Sequence, residues 1–212
     1  GTLQDERGLI GKSIGNYRID RFIGKSHMSS VYKATDMQLN RDVSLKVLEP
    51  ALAQDTGQRQ RFLEEARILS RLDHPNITKV MSYNRADNEV FMVMELVTGG
   101  SLRKVIETHK SNDTNLDLRD AVDLVVQLAN GLHFAHQQGL IHRDIRPESV
   151  VLKTSGVIGP LVKYTPVLTD FSIARYARTE DLYDQDGDTS FAYISPESAN
   201  GERTDIRSDI YE

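Results

Sequence analysis

Along the stretch IHRDIRPESVVL (141–152), Arg143, Asp144, Arg146 and Ser149 set a carboxylate among cations and a hydroxyl. A loop built to transfer a phosphoryl group needs these groups, since that reaction takes little covalent help and runs on positioning and charge neutralisation. Lys46, Glu65 and Asp170 add a further cation and two more carboxylates. Singly, each residue has a plainer reading. A strand lysine such as Lys46 is usually solvated, and Glu65 on a helix face is usually surface charge. HRD (142–144) is a short coincidence, Asp170 before Phe171 fits a turn, and Gly24-x-Ser26 is weaker than a lone glycine motif. Their order and spacing shift that balance.

The elements that must hold these residues follow from periodicity. YRIDRFIG (17–24) and SVYKATD (30–36) read as strands about a turn-like GKSHMS. RDVSLKVL (41–48) alternates, with Val43, Leu45 and Val47 on one face and Ser44 and Lys46 on the other. GQRQRFLEEARILSRL (57–72) sets Phe62, Ala66 and Leu69 at helical spacing and stops before Pro75. NEVFMVMELV (88–97) is apolar enough for a buried strand, and GGSL (99–102) breaks it. The longest helix is predicted over 116–139, its apolar face running through Ala121, Leu124, Val125, Leu128, Leu132 and Ala135, with Gly139 as its stop. KTSGVIGPLVKYTP (153–166) reads as a protruding loop between two short strands, because Gly156, Gly159, Pro160 and Pro166 suit an extended path. Strands early and helices late give an α+β chain in two lobes, hinged near 97–100.

Composition narrows the function classes. At 212 residues the chain can bury one good core or two small ones, and 39% hydrophobic with 27% charged content is that of an ordinary globular protein. A net charge of −5 without Lys/Arg runs makes nucleic acid and anionic membranes poor partners. No apolar stretch reaches the length of a membrane span, and GTLQDERG lacks the order of a signal peptide. Zero cysteines exclude thiol chemistry and fit a reducing compartment, so a cytoplasmic location is expected. The start on Gly1 rather than Met suggests a piece of a larger protein.

In order and register, these segments resemble the eukaryotic-type Ser/Thr protein kinases, including those found in bacteria. FIGKSHMSSVYKA (22–34) resembles the glycine-rich loop that covers the phosphates, VSLK (43–46) the lysine-bearing strand, and RFLEEA (61–66) the helix carrying its partner glutamate. HPNI (74–77) and VMELVTGGSL (93–102) resemble the approach to the hinge and the hinge itself. IHRDIRPESVVL resembles the catalytic loop, LTDFSIAR (168–175) the DFG region, YISPE (193–197) the APE motif, and RSDIY (207–211) the start of the next core helix. The match runs over roughly 15 to 212.

The resemblance implies a bilobal kinase-like fold: an extension over 1–14, an N-lobe of antiparallel sheet plus one helix over 15–97, and a mainly helical C-lobe over 98–212. That C-lobe is expected to be incomplete, leaving apolar surface exposed. ATP and Mg²⁺ are the implied cofactors. Ile23, Gly24, Val31, Ser44, Lys46, Met94, Glu95, Val97 and Val151 would bind ATP, with Met94 as gatekeeper and the backbone of Glu95 and Val97 reading adenine. Glu65 would hold Lys46 on the phosphates, Asp144 would orient the substrate hydroxyl, and Asp170 would hold the metal. Arg143 would receive a phosphorylated activation segment, for which Thr179, Thr189 and Ser190 are candidates, and Tyr193 would dock the substrate.

Several positions depart from the family pattern. Ser149 stands where an asparagine binds the second Mg²⁺, and its hydroxyl is a weaker, shorter-reaching ligand. Arg146 replaces a lysine, keeping charge but not its placement. Ser26 and Ser29 replace glycines of the phosphate loop, and Ser172 replaces the DFG glycine. The implied partner is a protein substrate, or a partner domain regulated by the chain. A Ser/Thr protein kinase of reduced or conditional activity is the reading favoured, with a pseudokinase as alternative. A small-molecule phosphotransferase fits less well, because YISPE and the hydroxyls before it resemble peptide-docking parts.

Overall fold

The computed structural model describes residues 5–26, 28–154, 164–171 and 192–212. It divides into two compact units: the chain up to Arg71 with Lys79–Leu96, and Leu72–Thr78 with Val97–Glu212.

The first unit is built on an all-antiparallel sheet of β1 (Ser13–Ile14), β2 (Tyr17–Lys25), β3 (Ser29–Asp36), β4 (Arg41–Leu48), β5 (Val80–Ala86) and β6 (Glu89–Glu95). Their order is β1-β2-β3-β4-β6-β5. Alternation sends Ile19, Tyr32, Ala34, Val43, Leu45, Val47, Phe91 and Val93 into one buried cluster. A short helix α1 (Pro50–Gln54) precedes α2 (Thr56–Leu69), whose first turn is capped by the Asp55 carboxylate accepting from Gln58 N–H. The sequence pattern gave one helix here; α1 is only five residues long and buries none of them. α2 packs on β5, with Phe62 and Tyr83 ring centroids 6.1 Å apart. The segment before β1 is tied to the sheet: the buried Tyr32 hydroxyl donates to Asp5 Oδ1 at 2.8 Å, and Arg7 pairs with Glu89.

The second unit contains α3 (Leu102–Ser111), α4 (Leu118–Gln137), the hairpin β7 (Val150–Thr154) with β8 (Tyr164–Leu168), α5 (Pro196–Ala199) and α6 (Ile206–Tyr211). Leu72–Thr78 joins this unit because it is bonded along β8: Thr78 N–H donates to Leu168 O, Leu168 N–H to Asn76 O, and buried Asn76 Nδ2 to Pro166 O. α4 passes close to that segment through Gly131, where an added Cβ would meet the Asn76 Cβ at 3.0 Å.

The expected loop at 153–166 begins and ends inside β7 and β8, so the antiparallel pairing runs further than its glycines and prolines suggested. Lys153, Thr154, Tyr164, Thr165 and Pro166 are ladder residues. Pro166 is tolerated in a two-stranded ribbon, where one edge needs no donor. Its turn, 155–163, lies outside the described residues. The expected apolar face of α4 is also corrected. Leu124, Gly131, Leu132 and Ala135 are buried, but Val125 is 64% exposed, forming an outward strip with Leu118, Val122 and Val126. Helical periodicity alone cannot say which side of an apolar-rich helix finds a neighbour.

Candidate active site

In the first unit, the strand register aligns the candidate nucleotide-binding residues. Gly24 pairs with Val31, Val31 with Lys46, and Lys46 with Met92, one row across four strands. The neighbouring row carries Ser44 opposite Lys33 and Met94, with Ser44 and Met94 nearly buried. Glu95 ends β6, its N–H donating to Lys79 O at 2.9 Å, and Ile23 lies exposed on β2. Lys46 leaves the face opposite the Val43–Leu45–Val47 core and reaches α2, where its Nζ lies 2.9 Å from Glu65 Oε1. The two side chains are 12% and 6% exposed. A charge pair so far out of water holds its geometry, because separating the partners would cost two nearly buried charges their direct contact.

The two serines that stand for glycines bond to each other across the turn between β2 and β3. Ser26 Oγ lies 3.0 Å from Ser29 Oγ and accepts from Ser29 N–H, while Ser26 N–H donates to Ser29 O at 2.8 Å. Sequence reasoning weighed only the bulk of these hydroxyls and missed the bonds they make.

In the second unit, Asp144 sits in a loop held from beneath by α6. Buried Asp209 accepts at Oδ2 from His142 N–H (2.8 Å) and at Oδ1 from Arg143 N–H (2.7 Å), and Glu212 Oε2 accepts from Ile145 N–H (2.8 Å). His136 Nε2 also lies 2.7 Å from Asp209 Oδ2. His142 is fully buried, its Nε2–H donating to Thr169 O and its ring 4.5 Å from Phe171. Burial pushes its pKa below the usual histidine value, although the Asp209 carboxylate pulls the other way. The neutral ring thus ties the HRD segment to the residues flanking Asp170. His142 and Asp209 were not singled out in the sequence; a histidine and an aspartate in motif context were the only signals.

Arg143 (φ 67°) and Asp170 (φ 60°) both adopt the left-handed region, which side chains disfavour and which the surrounding bonds must hold. Arg143 Nε donates to Thr204 Oγ1 at 3.0 Å. Arg146 Nε stands 3.5 Å from Asp144 Oδ1 and, buried, has no hydrogen-bond partner among the described residues. Asp170 is exposed, and Thr169 Oγ1 donates to its Oδ2 at 3.2 Å. Ser149 is buried with its hydroxyl turned into its own loop, donating to Arg146 O at 2.9 Å and accepting from Arg146 N–H at 3.1 Å. Its carbonyl accepts from Thr169 N–H, which brings it beside the Asp170 segment. Val151 lies on β7 opposite Val167, and Val97 is half-buried at the start of the unit. Ser172, Thr179, Thr189 and Ser190 lie outside the described residues.

As a test of fit to Mg²⁺, the exposed Asp170 carboxylate is a suitable hard ligand, whereas the Ser149 hydroxyl already makes two bonds and keeps one lone pair. Among the described residues no cluster of three or more acidic or histidine side chains could hold a metal by itself.

Residues 17–212 match the protein kinase domain family. The chain is 35% identical over 205 residues to the serine/threonine-protein kinase PrkC of Bacillus subtilis, covering 96% of this chain and 30% of that protein. It is 32% identical over 201 residues to PknB of Mycobacterium leprae, covering 92% and 30%. Among solved structures, the PknI kinase domain of Mycobacterium tuberculosis, as a double mutant, superposes with a TM-score of 0.70 at 29% identity, covering 94% of this chain and 70% of that one. This chain therefore belongs to the protein kinase family, of the bacterial Ser/Thr type, and has its α+β fold. It spans about 30% of the length of those curated relatives. Proteins of this family use ATP with a divalent metal and act on protein substrates. Among the described residues, no helix is long and apolar enough to cross a membrane.

Proposed function

We propose that this domain transfers the γ-phosphoryl group of ATP to Ser/Thr hydroxyls of proteins, as part of a longer protein. The observation that carries this reading is the buried Lys46–Glu65 pair at 2.9 Å. A lysine fixed on a strand by a helix carboxylate can neutralise the phosphates without first paying to order itself. Asp144 would accept or orient the acceptor proton, and Arg146, 3.5 Å from it, would add positive charge near the transferring group. Asp170 would hold Mg²⁺, which when bound offsets the charge of the β- and γ-phosphates. Ile23, Gly24, Val31, Ser44, Met94, Glu95, Val97 and Val151 would line the nucleotide site, and Arg143 would receive a phosphate on the activation segment.

A second reading, a nucleotide-binding pseudokinase that regulates a partner domain, is favoured by the Ser149 hydroxyl being committed to its own loop. A radiolabelled ATP transfer assay on the full-length protein separates the two. Transfer that Asp144→Ala and Lys46→Ala both abolish supports the kinase. No transfer by wild type, to itself or to generic protein substrates, supports the pseudokinase.

A further inference from the structure

Arg103, at the start of α3, joins three segments of the second unit. Its backbone N–H donates to Pro147 O at 3.1 Å. Its Nε donates to Glu148 Oε1 at 2.6 Å, and a terminal nitrogen donates to the Tyr193 hydroxyl at 3.1 Å. Glu148 and Tyr193 lie 45 and 90 residues away in sequence. One belongs to the loop that carries Asp144 and the other to the YISPE segment. The Glu148 side chain is 38% exposed, yet its other oxygen, Oε2, is buried with no hydrogen-bond partner among the described residues. Both partners raise the guanidinium pKa, so the cation persists at any working pH.

A half-exposed carboxylate four residues beyond the proposed base would by itself attract a Lys or Arg of an incoming peptide. With Arg103 seated on it, such a side chain meets a neutralised pair and would have to give up its own hydration for no partner. A plain surface ion pair would have no such consequence. The second arm to Tyr193 and the buried Oε2 set this one apart.

Building on the kinase reading above, we propose that Arg103 is a specificity-determining residue that occupies Glu148, so that the domain selects acceptor peptides without basic residues beside the acceptor hydroxyl. The test uses the full-length protein and two peptides that differ only in carrying Arg or Ala next to the acceptor. Wild type should favour the Ala peptide. R103A should raise kcat/KM for the Arg peptide relative to the Ala peptide by about tenfold, with KM for ATP unchanged. E148Q added to R103A should cancel the gain, and R103K, which keeps a cation on Glu148, should show none. R103Q, neutral but retaining stem and donors, should behave as R103A and replaces it if thermal unfolding shows R103A misfolded. An unchanged peptide ratio in R103A and R103Q, or a gain that survives E148Q, overturns the proposal. Anisotropy of the labelled Arg peptide on proteins also carrying D144N reads the same order without transfer. If wild type phosphorylates nothing, the kinase reading fails, and this binding order alone decides the role of Arg103.

Discussion

Glu65 and Lys46 show what a single pair of residues can hold. Removing the carboxylate with Glu65→Ala takes the 2.9 Å counter-charge from a nearly buried ammonium, so a clear drop in Tm is expected. Lys46→Met removes both charge and hydrogen bond from the phosphates, and phosphoryl transfer should fall by roughly 10²–10³-fold, as when one preorganised donor is lost. Steady-state kinetics with Tm as a control check both: a Lys46→Met enzyme within threefold or so of wild type would remove Lys46 from the mechanism. At Ser149 the expectation runs the other way. The double change Arg146→Lys with Ser149→Asn restores a compact ammonium and an amide carbonyl, so the rate and its Mg²⁺ dependence should both increase. Ser149 also closes its loop through Arg146. An asparagine that cannot replace those bonds would lower Tm, and titration of Mg²⁺ against rate tells the two effects apart.

Among the elements, the crossing of the 97–101 segment with β7 depends on one missing side chain. Leu152 N–H donates to Gly100 O at 2.8 Å, and a Cβ on Gly99 would sit 2.0 Å from Leu152 O. Backbone cannot step aside as a flexible side chain can. Gly99→Ala should therefore destabilise by about 1–3 kcal/mol, the range for overpacking. In a domain of this size that lowers Tm by roughly 2–4 °C per kcal/mol. Gly24→Ala is the matched control, because nothing lies within 4 Å of its added Cβ. Equal melting shifts for the two would contradict the close approach. Gly100, at φ 82°, supplies the left-handed turn beside it and tolerates no branched residue.

The second unit as a whole carries a pH dependence through His142. Its burial lowers the folded-state pKa below the ordinary value of 6.5. Above that value both folded and unfolded states keep the ring neutral. As pH falls through it, the unfolded chain takes up a proton that the folded one resists, so stability declines. Tm measured between about pH 7 and 5 should fall more steeply for wild type than for His142→Asn, which cannot titrate. Parallel slopes would show that the nearby Asp209 carboxylate cancels the effect of burial, and a shallower wild-type slope that it outweighs burial. The variant should also melt lower at neutral pH, since it loses the contact with Phe171 and part of the bonding to Thr169.

The sequence alone determined the sheet strands with strict alternation, the two long helices, and the order of motifs that identifies a kinase. Each is a local pattern: period two on β4, period near 3.6 on α2, and short motifs at fixed spacing. It did not mark α1 or β5, whose residues carry no clean period, or α3, although Leu102, Val105 and Ile106 stand at helical spacing, and it placed Val125 on the wrong side of α4. Only tertiary structure decided that Ser26 and Ser29 bond to each other, that the Ser149 hydroxyl closes its own loop, and that Asp209 and Glu212 hold the amides around Asp144. Composition and spacing fix which groups are present. Which donor meets which acceptor depends on segments up to ninety residues apart being folded together, as Arg103 and Tyr193 are.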